Sequence, residues 1–142
     1  MKTIKDTDTV AITVSAANDA PVNTVPGAQT IAEDTATAIA GLSVNDVDGN
    51  LATTQLSVTN GALSVSLAGG ATISAGANGS STLTLSGTQA QINSAMATLT
   101  YQGSANFNGS DTLTVLSTDS AGVPLSDTDT VAITVSAAND AP

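Results

Sequence analysis

"DTDTVAITVSAANDAP" fills residues 127–142, and the same sixteen letters fill residues 6–21. Within the second copy Val131, Ile133 and Val135 alternate with polar or small residues, the period-two pattern of a half-buried strand. A sixteen-residue match is too long for chance, so its 121-residue offset reads as the period of a tandem array. Residues 22–142 then form one unit with its C-terminal linker. Residues 6–21 are the last strand and linker of the preceding unit. Residues 1–5 break the match and read as an expression start. The segment Thr9 to Ser15, equal to Thr130 to Ser136, has lost its home sheet. It is expected to fray in dilute solution, with exchange into a neighbouring molecule's last-strand slot as the alternative.

Working outward from that strand, the rest of the chain is rich in Thr, Ser, Val and Ala and keeps the same alternation. Ile39 to Val44, Leu56 and Val58, Leu63 to Leu67, Leu83 and Leu85, Leu99 and Tyr101, and Leu113 and Val115 are the further strand candidates. Asn60-Gly61, Gly69-Gly70, Asn78-Gly79 and Asn108-Gly109 supply turns between them. One stretch differs: in "TQAQINSAMATL", residues 88–99, Ile92, Met96 and Leu99 fall at helical spacing, which predicts a short helix packed on the core. Short strands separated by turns at this density predict an all-β, immunoglobulin-like Greek-key sandwich with one short helix.

Both lysines, Lys2 and Lys5, precede the unit, which carries no Lys, Arg or His. Nine carboxylates set its charge: Glu33, Asp34, Asp46, Asp48, Asp111, Asp119, Asp127, Asp129 and Asp140. Such a surface disfavours nucleic acid and anionic membrane, and a divalent cation is the obvious candidate to screen it, the alternative being that the acidity only keeps the chain soluble. Without Cys there is neither a disulfide framework nor a thiolate metal site. Asp46-Val47-Asp48-Gly49 lies between two strand candidates and aims two carboxylates at one turn, the kind of oxygen cluster that Ca2+ requires. No acid follows at the distance an EF-hand needs.

"STDSAGVPLSDTDTVAITVSAANDAP", residues 117–142, resembles the end of a cadherin repeat: D-x-x-G-x-P, an alternating last strand, then an N-D-x-P linker. "AED" at 32–34 resembles that family's acidic first-strand motif, and "NDVDG" at 45–49 its D-x-D loop. "YQGSANFNGSDTLTV" and the helical segment resemble the cadherin-like repeats of giant bacterial adhesins, including those exported by type I secretion (RTX adhesins). The resemblance implies a Ca2+ site at the N-terminal end of the unit from Asn18, Asp46, Asp48 and Asp119, with Asp19 facing the preceding unit. Weaker sites are expected around Glu33 and Asp140, because the mid-repeat acidic triplet and the first linker acid of the family are absent. Asp127 and Asp129 share the inward parity of Val131 and Ile133. They read equally as ligands or as solvated residues at the start of a strand.

The function this implies is a calcium-stiffened spacer repeat of a long bacterial surface adhesin, extracellular, contributing to cell adhesion and biofilm. Its partners would be neighbouring repeats of the same chain, without membrane insertion, and the isolated chain is expected to be a monomer. The alternative is a ligand- or carbohydrate-binding sandwich, although a unit without Trp offers little aromatic surface for stacking on sugars. An enzyme is not expected: the unit has no His, Cys or Lys to act as nucleophile or base.

Overall fold

A computed structural model describes residues 5–137. Residues 5–19 are exposed and form no regular element, and the folded domain begins with β1 (Val22–Thr24). There follow β2 (Gln29–Ala32), β3 (Thr37–Ala38), β4 (Ser43–Asn45), β5 (Leu51–Ser57), β6 (Gly61–Ser64), β7 (Thr72–Gly76), β8 (Thr82–Ser86), α1 (Gln89–Met96), β9 (Thr100–Gly103), β10 (Gly109–Asp119) and β11 (Ser126–Ser136).

One sheet has six strands in the order β2-β11-β10-β5-β8-β7, and the others are the three-stranded β3-β9-β6 and the two-stranded β1-β4. The expected all-β sandwich with a single short helix is the observed fold. Its core joins Leu56, Leu83, Leu85, Leu113, Val115, Val131 and Ile133 of the large sheet with Val44, Leu63 and Tyr101 of the smaller ones and Ile39 just after β3. The alternation in β11 holds: Val131, Ile133 and Val135 are buried while Ala132 and Thr134 are exposed. This strand runs antiparallel to β10 and parallel to β2, so the last strand of the domain is locked between two others.

Three local readings need correction. Ile39 to Val44 is not one strand, because Gly41 at φ +92° turns the chain between β3 and β4, which belong to different sheets. Leu63 to Leu67 ends as strand at Ser64, where the Asn78 side chain takes over pairing with the Val65 backbone. The helix stops at Met96, and Leu99 enters the core from the following turn. The strands β1, β2 and β7 left no clear signal, being short or, in the case of β7, mostly exposed.

The helix starts on a reciprocal cap: Gln91 N donates to Thr88 Oγ1 at 3.2 Å, and Thr88 N donates to Gln91 Oε1 at 2.9 Å. It buries Ile92, Ala95 and Met96. Its polar face serves as a surrogate strand for β4. Val44 N donates to Asn93 Oδ1 at 2.8 Å, Asn93 Nδ2 donates to Val44 O at 2.9 Å, and Asp46 N donates to Gln89 Oε1 at 2.8 Å. The helix therefore fixes the residue that opens the Asp46-Val47-Asp48-Gly49 loop.

Candidate functional site

Asp46 follows β4, Asp119 ends β10, and both lie at the end of the sandwich where the chain enters from residues 16–21. Both are buried, at 4 % and 2 % exposure. The loop between β4 and β5 closes on Asp46: Asp48 N donates to Asp46 Oδ1 at 2.9 Å and Gly49 N to Asp46 O at 3.1 Å. Gly49 has φ +68°, which explains the glycine of the motif. Asp119 is held from the β10–β11 loop, with Leu125 N and Ala121 N donating to Oδ1 at 3.0 and 3.2 Å.

The incoming segment docks on these groups. Asn18 Nδ2 donates to Asp119 Oδ2 at 2.8 Å, and Asp19 N donates to Asp48 Oδ2 at 2.6 Å. The hydrogen bond from Asn18, followed by that from Leu125 N, lowers the Asp119 pKa, so this carboxylate is ionised at neutral pH. Asn50 bridges the remaining gap, donating Nδ2 to Asn18 Oδ1 at 3.0 Å while its own Oδ1 faces the two Asp46 oxygens at 3.1 and 2.9 Å.

These four groups form a row, Asp46–Asn50–Asn18–Asp119, with a carboxylate at each end and two amides between. Three contacts link them, but each amide can turn only one NH2 toward one neighbour. Turning Asn50 supplies a donor to Asp46 and sets its oxygen against Asn18 Oδ1. Turning Asn18 as well sets an oxygen against Asp119. Every arrangement leaves at least one oxygen facing an oxygen at hydrogen-bonding distance, a shortfall of one donor or cation.

Asn18, Asp19, Asp46, Asp48 and Asp119 thus meet at one end of the domain. They do not form a cluster of acids on one point: among the described residues, no three carboxylates are close enough to hold a metal by themselves. Asp48 faces the linker backbone, and the inner oxygens come from Asp46, Asp119, Asn18 and Asn50. Asn50 carries no charge, so an acid pattern in the loop does not point to it.

Glu33 lies at the opposite end. It is buried, its N–H donates to Ser136 O at 2.9 Å, and its Oε2 accepts from Asn108 Nδ2 at 3.5 Å. Asp34, at φ +59°, accepts from Asn106 N at 3.4 Å beside it. Asp140 lies outside the described residues. Asp127 and Asp129 do point inward, but they serve β1. Asp127 Oδ2 accepts from Asn23 N at 2.8 Å, and Asn23 Nδ2 donates to Asp127 O and Val115 O at 2.8 and 3.1 Å. Ser117 and Thr54 extend this network through the core side of the large sheet. Burial, then the neighbouring charge of Asp127, raises the Asp129 pKa.

No cavity opens among the described residues. Nor is any helix among them long and apolar enough to cross a membrane. No curated protein matches the sequence.

The family whose model matches residues 41–127 is described as the Protein GAMETE EXPRESSED 2 domain. This match overturns the resemblance to cadherin-like repeats of bacterial RTX adhesins, and with it the spacer function, the biofilm association and the bacterial surface. The short motifs behind the resemblance, D-x-D-G and N-D-x-P, are turn and linker chemistry that unrelated sandwiches share. An extracellular setting is compatible with the family; its bacterial half is withdrawn. The match runs from the crossover at Gly41 to the start of β11 and covers more than half of the sequence, so the chain belongs to the Protein GAMETE EXPRESSED 2 domain family.

Proposed function

We propose that this chain is an extracellular β-sandwich domain of a gamete-expressed protein, and that Ca2+ bound at the end where the chain enters fastens the incoming segment to the domain. The observation that supports this is the oxygen row from Asp46 to Asp119, which lacks one donor or cation however its amides are turned. Ca2+ takes six to eight oxygens at flexible geometry and accepts carboxylate, amide and water oxygens together. In this reading Asp46 and Asp119 supply charge, and Asn18 and Asn50 supply neutral oxygens. Asp48 and Asp19 complete the outer ring. Asn18 is the residue that makes the site a fastener, since it alone of the inner four belongs to the incoming segment.

Calorimetric titration of the chain with Ca2+ tests this. Saturable binding is expected at about 10⁻⁴ M or tighter, the range of extracellular modules. It should weaken at least tenfold in both Asp46→Asn and Asn50→Ala, the second of which leaves every charge in place. Unchanged affinity in Asn50→Ala would move the ion off the row, and absence of binding by the unmodified chain would leave a bridging water as the missing donor and end the proposal.

A further inference from the structure

Residues 6–15 repeat residues 127–136 letter for letter, which covers ten of the eleven residues of β11. In the structure the first copy is exposed and outside every sheet, with Val10, Ile12 and Val14 at 83, 81 and 88 % exposure. Their counterparts Val131, Ile133 and Val135 are 1, 1 and 2 % exposed between β10 and β2. One molecule therefore carries two strands that fit one slot, and only the second is docked.

The first copy cannot take the slot of its own molecule. β11 runs from the linker end, beside Asp119, to the far end, where Ser136 O accepts from Glu33 N. A copy docked in that register would place Ser15 at the far end, about 35 Å from the start of an eleven-residue strand. Asn18 is bonded to Asp119 at the near end, and three residues of chain span only about 10 Å.

We infer that residues 6–15 are a donor strand for a second copy of this chain, entering its β11 slot between β10 and β2. Asp6 and Asp8 then replace Asp127 and Asp129 beside Asn23, and Ser15 O replaces Ser136 O as acceptor for Glu33 N. The donor's residues 16–21 emerge at the far end of the acceptor and lead directly into the donor's own domain, so the two copies are joined end to end. The exchanged strands are identical, so their contact energies cancel and chain connectivity alone decides the balance. A tethered strand competes with an effective concentration of about 1 mM. Exchange is then about one molecule in ten at ~100 µM protein and about one in a hundred at ~10 µM. This inference does not depend on Ca2+.

The register gives the test. Ser110 lies opposite Thr134, whose counterpart is Thr13, and Ser110 and Thr134 are both exposed. Full-length Thr13→Cys and Ser110→Cys chains, carrying different mass tags, are unfolded in urea, refolded together at ~100 µM and oxidised. A Thr13→Cys to Ser110→Cys heterodimer is expected at least fivefold above that formed with Thr114→Cys, which lies opposite Thr130 and so out of register. It should rise with protein concentration and fall on adding excess peptide of residues 127–136. Val10→Ser, Ile12→Ser and Val14→Ser together in the donor should abolish it. Equal yields in and out of register, or yields indifferent to the donor's apolar residues, would show only collision of a loose tail and would overturn the inference.

Discussion

Removing the Asp111 carboxylate should destabilise the domain far more than its place at a sheet margin suggests. Asp111 is 5 % exposed and accepts four hydrogen bonds: from Tyr101 Oη at 2.7 Å, Thr112 N at 2.8 Å, and Thr59 N and Asn60 N at 3.0 Å each. Burial alone would raise its pKa, but the bonds from Tyr101, Thr59, Thr112 and Asn60 together outweigh that and leave it lowered. The same contact works in reverse on Tyr101, whose hydroxyl is pushed up by burial and by its bond to Asp111. In Asp111→Ala the Tyr101 hydroxyl, in a side chain of 0 % exposure, loses its partner, at about 1–3 kcal/mol. The three N–H groups near the β5–β6 turn reach water more easily and add about 0.5 kcal/mol each. The total is about 2.5–4.5 kcal/mol, and the apolar substitution Tyr101→Phe should recover the hydroxyl's share of it, because it removes the stranded group. Urea denaturation of both single variants and the double variant should therefore give a coupling of about 1–2 kcal/mol. The folded pKa is depressed, so the carboxylate's stabilisation is present above its ordinary value of 3.8 and is lost as pH falls through the lowered one. The deficit of Asp111→Ala should accordingly shrink in melts at low pH. Additive single and double variants, or a deficit unchanged by acid, would refute the reasoning.

Free Ca2+ at ~100 times its dissociation constant should add about 2.7 kcal/mol, on the order of 10 °C in thermal melts, and melts coincident with those in chelator would count against binding. Gly76→Ala should destabilise by about 2 kcal/mol or more by urea denaturation, since φ is +74° and the added Cβ would meet Thr82 O at 2.0 Å. Asn23→Ala should lower stability by about 2–3 kcal/mol and increase hydrogen exchange in β1, because Ser117, Val115 and Asp127 all lose a partner. The Asp129 pKa is raised, so stability should fall as pH rises from 3.8 through the folded value. Asp129→Asn should then melt on the order of 1–2 °C higher at pH 7 and show no gain below pH ~3.

The fold was legible wherever a strand buries one face and exposes the other. β8, β10 and β11 declare themselves by alternation, and the capped helix by its spacing. β7 was hidden because almost nothing in it is buried, and the break at Gly41 because a single positive φ outweighs a run of apolar residues. The family itself was misread for a related reason. Acidic turns and proline linkers are selected by local backbone geometry, and they recur in sandwiches that share no function.

The candidate site shows the same division more sharply. Parity along β10 runs inward through Asp111, Leu113, Val115, Ser117 and Asp119, so one periodic signal places two buried carboxylates at opposite ends of one strand. Sequence assigns both to the interior and cannot separate their roles, because what differs is the neighbour. Asp111 meets a tyrosine hydroxyl and three backbone donors and is satisfied without any ion. Asp119 meets an amide that must also serve Asn50, which must also serve Asp46. Counting donors along a contact row is what separates two equally buried carboxylates. That count requires Asn18 and Asn50, 32 positions apart in sequence, to touch.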